Sequence, residues 1–69
     1  MSAEPVSITY RDDGTVEVSG VGVLVVIGEH HGYELAAYLD GVPGPVAEDW
    51  APTLGAAVER ATELVRQTP

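Results

Sequence analysis

The residues best suited to chemistry are two adjacent histidines, His30 and His31, with Glu29 and Glu34 beside them. Imidazole and carboxylate groups are zinc ligands, and a hairpin can bring such groups together. Adjacent side chains point in different directions, however, and this stretch does not offer the four ligands of a structural zinc site. The pattern favours a solvated loop tip, and we predict neither a metal nor another cofactor.

Other arrangements that support catalysis are weak in this sequence. The glycine-containing residues 19–23 are not followed by a helical pattern, so they are not typical of a phosphate-binding loop. Paired acids at residues 12–13 and 48–49 lie in turn-like stretches, where carboxylates usually bond to the local backbone. The chain has no cysteine, which excludes disulfides and thiolate chemistry. We therefore predict no catalytic residues and no enzymatic activity.

The charge balance limits the possible partners. The 69 residues include 11 acids but only 3 arginines and no lysine, which gives a net charge of −8. Binding to nucleic-acid phosphates or to anionic lipid needs clustered cations, so both are disfavoured. No run approaches the roughly 20 apolar residues of a membrane span, and no secretory signal pattern opens the chain. We predict a cytoplasmic protein with one small domain, residues 1–69, whose residues 1–5 and 68–69 are flexible ends.

Alternating apolar residues predict a first β-hairpin on either side of Asp12, Asp13 and Gly14. A three-residue loop matches apolar with apolar across the strands: Tyr10 with Val16 and Ile8 with Val18. A shift of one residue would exchange the two faces of a strand, so we expect the matched register. Gly14 then takes the left-handed position of the loop.

A second hairpin follows, with a three-residue loop at His30, His31 and Gly32. Its predicted pairs on one face are Ile27 with Leu35, Val25 with Ala37, and Val23 with Leu39. On the reverse face, Leu24 and Val26 meet Tyr38 and Ala36. Because this central pair is apolar on both sides, we expect a helix to cover one face and a partner to cover the other.

The remaining segments complete the predicted architecture. Between the hairpins the apolar positions change from even to odd numbers across residues 19–22, which indicates a bulge or a sharp bend. Residues 40–45 form a turn-rich connection, and residues 46–47 extend briefly before Trp50. Thr53 is a suitable helix N-cap. The apolar residues that follow it recur at helical spacing and form one stripe: Leu54, Ala57, Val58, Ala61, Leu64 and Val65.

These elements predict an α+β fold. A three- to four-stranded antiparallel sheet, made of two hairpins, is followed by one C-terminal helix that packs on one face.

Residues 32–64 resemble the HicB-like antitoxin domain of bacterial toxin–antitoxin pairs. The shared elements, in order, are Gly32-Tyr33, Val42-Pro43-Gly44, Thr53-Leu54, Ala57 and Ala61. The chain departs from the family pattern at Asp40-Gly41. Its segment of residues 44–53 is also about two residues longer than the corresponding segment of the family. The resemblance implies a toxin-binding fold without a DNA-binding segment of its own.

Five residues are candidates for contact with a partner: Trp50, Leu24, Val26, Ala36 and Tyr38. Two interpretations of Trp50 remain open, because it could pack across the start of the helix or anchor a partner, as tryptophan often does at binding hot spots. Strand addition along residues 6–11 offers a separate route to a dimer.

The sequence thus predicts a small acidic protein-binding module, antitoxin-like or otherwise a regulatory inhibitor, which acts by steric docking on a protein or on itself as a homo-oligomer. The alternative is an acidic protein that imitates nucleic acid and inhibits a basic protein, as a phage decoy does. Both hypotheses exclude direct contact with nucleic acid or membrane.

Overall fold

The computed structural model describes residues 5–67. Five strands precede one helix: β1 (Ser7–Tyr10), β2 (Val16–Gly20), β3 (Val23–Glu29), β4 (Tyr33–Leu39), β5 (Ala47–Ala51) and α1 (Leu54–Gln67). The strands form one antiparallel sheet in chain order, β1-β2-β3-β4-β5. The α+β class and the C-terminal helix are confirmed, whereas the predicted three to four strands are too few. The predicted flexible ends, residues 1–5 and 68–69, lie outside the described residues except for Pro5.

Both predicted hairpin registers are confirmed. Tyr10 lies opposite Val16 and Ile8 opposite Val18. In the second hairpin all five predicted pairs form between β3 and β4. Gly14 has a φ of 90°, as its place in the three-residue loop requires. Matching apolar residues across the strands was therefore sufficient to predict the register of these two hairpins.

The expected bulge or bend at residues 19–22 is instead a two-residue turn, which makes β2 and β3 a third hairpin. Gly20 pairs with Val23, and Gly22 adopts a φ of 75° between them. Residues paired across a two-residue loop have numbers whose sum is odd, so buried positions change from even in β2 to odd in β3. The change of phase in the sequence is the signature of this turn.

The fifth strand follows the turn-rich connection and was not predicted. It pairs with β4 through Ala47 opposite Ala37, Asp49 opposite Leu35 and Ala51 opposite Tyr33. Because Asp49 lies at a core-facing position and Trp50 at an outward one, the strand lacks an alternating apolar pattern. Sequence alternation therefore could not reveal it.

The core lies between α1 and one face of the sheet. Its fully buried large side chains are Ile27, Leu35, Val18 and Val25. The N-cap prediction is confirmed, because the Ala56 backbone N–H donates to Thr53 Oγ1 at 3.2 Å. Ala57 and Ala61 are fully buried, and such small residues allow a helix to approach the sheet closely.

Gly20 also sets how close the helix lies. A Cβ atom built on Gly20 would lie 2.6 Å from Val65 Cγ1, and Val65 is a stiff, buried side chain. We predict that Gly20→Ala lowers the free energy of unfolding by about 1–3 kcal/mol through overpacking. Urea unfolding measures this change.

Gly28→Ala is the matched control, since no atom of residues 5–67 lies within 4 Å of its added Cβ and its φ is not positive. We expect this variant to be neutral or more stable by about 0.4–1 kcal/mol. Equal destabilisation by both substitutions would contradict the close approach at Gly20.

The β1–β2 loop is held by Asp13. The Thr15 hydroxyl donates to Asp13 Oδ1 at 2.6 Å, and the Thr15 backbone N–H donates to the same oxygen at 3.0 Å. These bonds, the hydroxyl first, lower the pKa of Asp13 below the ordinary aspartate value. A lowered folded-state pKa stabilises the fold above the unfolded-state pKa, and this contribution is lost as the pH falls through the folded-state pKa.

We predict that Thr15→Val raises the pKa of Asp13 toward its ordinary value, because the strongest of these bonds is removed. Carboxyl-carbon NMR titration measures the pKa directly. The difference in Tm between wild type and variant should be fully present above the ordinary aspartate pKa of about 3.9 and should shrink below it. An unchanged Asp13 pKa in the variant would show that the hydroxyl bond does not form.

Candidate functional site

The strongest candidate site is the face of the sheet that lies opposite α1, here called the open face. Leu24 pairs with Tyr38 and Val26 with Ala36 on this side, while the alternate residues of β3 and β4 point to the core. The structure therefore brings together four of the five predicted contact residues. Tyr38 is 36% exposed, and the other three are half-buried between their neighbours.

Acidic residues lie on both sides of this apolar centre. Glu17 pairs with Val26 across β2 and β3, and Glu48 pairs with Ala36 across β4 and β5. The row across the four strands is thus Glu17, Val26, Ala36 and Glu48. At about 4.8 Å per strand, the two carboxylate-bearing residues stand about 14 Å apart.

A shallow depression of about 350 Å³ lies in the open face. Its lining includes the small residues Gly28 and Ala36, flanked by the taller side chains of Tyr38, Glu34 and Glu48. In the described part of the chain, no atom lies within 4 Å of the position where a Cβ on Gly28 would project, so the missing side chain itself creates space. The depression thus combines an apolar floor with acidic walls.

Trp50, the fifth predicted contact residue, lies on the same face. It pairs with Glu34 across β4 and β5, and its indole Nε1–H donates to the His31 carbonyl at 3.1 Å. Its ring packs directly over Gly32, where a Cβ atom would clash. The structure therefore places Trp50 over the β3–β4 loop rather than across the start of the helix, and leaves it 48% exposed.

Asp49 and Arg60 form a contact that the sequence did not indicate. Arg60 Nε lies 3.4 Å from Asp49 Oδ2, and the Trp50 backbone N–H donates to Asp49 Oδ1 at 2.8 Å. The ion pair joins the edge strand β5 to the helix on the core side of the sheet. It leaves Glu48 and Trp50 directed toward the open face.

The two histidines form the exposed tip of the β3–β4 loop. Their rings meet edge to face, with centroids 4.8 Å apart, and His31 has a φ of 51°. Within residues 5–67, no three potential metal ligands come together. The same part of the chain contains no helix long and apolar enough to cross a membrane.

Neither a protein-family model, nor a curated protein, nor a solved structure matches this chain.

We predict that Gly32→Ala displaces the Trp50 ring, because the added methyl group occupies its position. The indole fluorescence should shift to longer wavelength, and the indole N–H resonance should move as its bond to His31 is lost. Trp50 is the only tryptophan, so both signals are unambiguous.

Gly14→Ala is the control for this experiment. Gly14 has a positive φ like Gly32, but among the described residues no atom lies within 4 Å of its added Cβ. It therefore imposes backbone strain without a clash at Trp50. A similar change of the Trp50 signals in both variants would contradict the proposed contact.

Proposed function

We propose that this protein is a small protein-binding module that docks through its open face. The single observation that carries the proposal is the one-sided cover of the sheet. The helix packs on one face only, and the apolar pairs formed by Leu24 with Tyr38 and by Val26 with Ala36 are left on the other. Covering such a face removes apolar surface from water, which is the main favourable term in most protein associations.

The chemistry of the open face suits a partner that is apolar at its centre and basic at its margin. Trp50 and Tyr38 are large, partly exposed aromatics, the residue types enriched at binding hot spots. Glu34 and Glu48 border the apolar centre on one side and would attract a positively charged surface. On the other side, Glu17 is already paired with Arg11, whose Nη1 lies 3.3 Å from Glu17 Oε2. Such complementary charge accelerates association and rejects acidic competitors.

The mechanism that follows is steric inhibition. A bound partner whose active surface lies against the sheet is shielded from its own substrate. The resemblance of residues 32–64 to the HicB-like antitoxin domain supports an antitoxin-like role, with a small basic toxin as the partner.

The second hypothesis, imitation of nucleic acid, has less support from the geometry. A phosphate mimic needs carboxylates in ordered rows. Here the acids are spread over the β1–β2 loop, the open face and the outer side of α1, as with Asp13, Glu48 and Glu63. The apolar centre of the open face has no part in such a mechanism.

Affinity capture from the source cells, followed by calorimetry with the purified partner, tests the proposal. The combined variant Leu24→Gln and Val26→Thr leaves the net charge unchanged. We expect it to weaken binding at least about tenfold, equivalent to about 1.4 kcal/mol. The control variant Val21→Gln and Val42→Gln changes exposed apolar residues in two turns, and it should bind as wild type does.

A charge variant separates the two hypotheses. Replacement of Glu34 and Glu48 by glutamine should slow association and weaken its salt dependence, with the apolar contact retained. Loss of binding in this variant, together with full binding by the apolar variant, would favour the nucleic-acid mimic. A partner that binds all variants equally would show that the open face is not the docking surface.

A further inference from the structure

Within residues 5–67, the outer edge of β1 is the second feature that no other element covers. Strand β1 lies at one end of the sheet, and α1 contacts β2, β3, β4 and β5 but not β1. Ile8 and Tyr10 point to the helix side of the sheet because they pair with the buried Val16 and Val18. They lie beyond the helix, and their exposed fractions are 43% and 65%.

The hydrogen-bond phase of β1 determines which residues can pair at this edge. The Arg11 backbone N–H donates to the Thr15 carbonyl at 2.9 Å. Bonded and non-bonded pairs alternate along an antiparallel ladder, so Thr9 and Ser7 also direct their backbone groups to β2. Ile8 and Tyr10 must therefore direct their N–H and C=O groups outward, to the free edge.

The charges distinguish this edge from the opposite one. Residues 5–10 carry no charged side chain, in a chain whose net charge is −8. The other edge strand, β5, contains Glu48 and Asp49, which would repel a second copy of the same strand. Edge strands are usually protected by charge, proline or a bulge, and Ser7–Tyr10 has none of these within its span.

We propose that two copies of this chain pair β1 against β1, antiparallel, about a twofold axis, to form one ten-stranded sheet. This inference does not depend on the proposed function. Only residues with outward backbone groups can form the bonded pairs. The two registers that pair Ile8 within Ser7–Tyr10 set it opposite either Ile8 or Tyr10 of the second copy.

Both permitted registers have the same consequence for the faces of the sheet. Paired residues project to the same side, and Ile8 and Tyr10 project to the helix side in each copy. The two helices therefore lie on one face of the joined sheet, and the two open faces are continuous on the other. The exposed Ile8 and Tyr10 side chains of the two copies meet in the strip between the helices.

Sedimentation equilibrium tests the association. Wild type should reach a mass of twice 7.2 kDa, and Ile8→Lys should sediment at one chain mass at the same concentration. The two lysines would lie directly opposite each other in one register and diagonally, about 7–8 Å apart, in the other. A lysine on an edge strand is also a natural device against edge pairing. Val21→Lys is the control, since Val21 is 73% exposed in the β2–β3 turn, and this variant should remain dimeric.

Single cysteines identify the register, because the natural chain has none. If Ile8 lies opposite Ile8, the Cα atoms are about 5.5 Å apart, and Ile8→Cys forms a disulfide between copies on mild oxidation. If Ile8 lies opposite Tyr10, Thr9 faces Thr9 at about 4.5 Å, and Thr9→Cys forms it instead. Val21→Cys measures the background of random collision.

Rapid crosslinking of Ile8→Cys or Thr9→Cys above the Val21→Cys background, with loss of the dimer in Ile8→Lys, supports the proposal. A wild-type chain that sediments as a monomer up to millimolar concentration overturns it. A dimer that persists in Ile8→Lys and crosslinks at neither position also overturns it, since the association then uses another surface. None of these results depends on whether the open face binds a partner.

Discussion

The fold depends on the packing of one amphipathic helix against one face of a five-stranded sheet. The 14 residues of α1 span about 21 Å at 1.5 Å per residue, enough to cross the strands it contacts, β2 to β5. The close approach comes from small groups on both sides: Ala57 and Ala61 on the helix and Gly20 on the sheet. The described residues contain no second helix. The open face and β1 are therefore left without a covering element.

Because the helix covers only one face of the sheet, the lengths of the loops determine which apolar residues stay exposed on the other. The three-residue loops preserve the parity of the buried positions, and the two-residue turn at Val21-Gly22 reverses it. Leu24 and Val26 therefore point away from the helix although they lie in the most apolar strand. A turn one residue longer would exchange the two faces of β3, and it would bury Leu24 and Val26 in place of Val23 and Val25.

The two unpartnered surfaces differ in chemistry. The open face has an apolar centre bordered by Glu34 and Glu48, and the partner proposed for it is basic. The β1 edge is uncharged and presents backbone groups, so it suits a second copy of the same chain. Joining the edges would place two open faces side by side, and a dimer would present twice the docking area of one chain.

The sequence by itself determined the local features: the alternation of Ile8 and Tyr10 with polar residues, the N-cap at Thr53, the helical stripe and the registers of two hairpins. It also indicated which side chains form the open face, since Leu24, Val26, Ala36 and Tyr38 follow from period-two alternation. Only the tertiary structure decided the position of β5, because Asp49 takes a core-facing position that becomes acceptable when Arg60 of the helix pairs with it. The position of Trp50 also follows only from the fold, because its ring contacts Gly32 and its N–H donates to the His31 carbonyl. Pairing of β4 with β5 brings these partners to Trp50, although they are distant from it in the sequence.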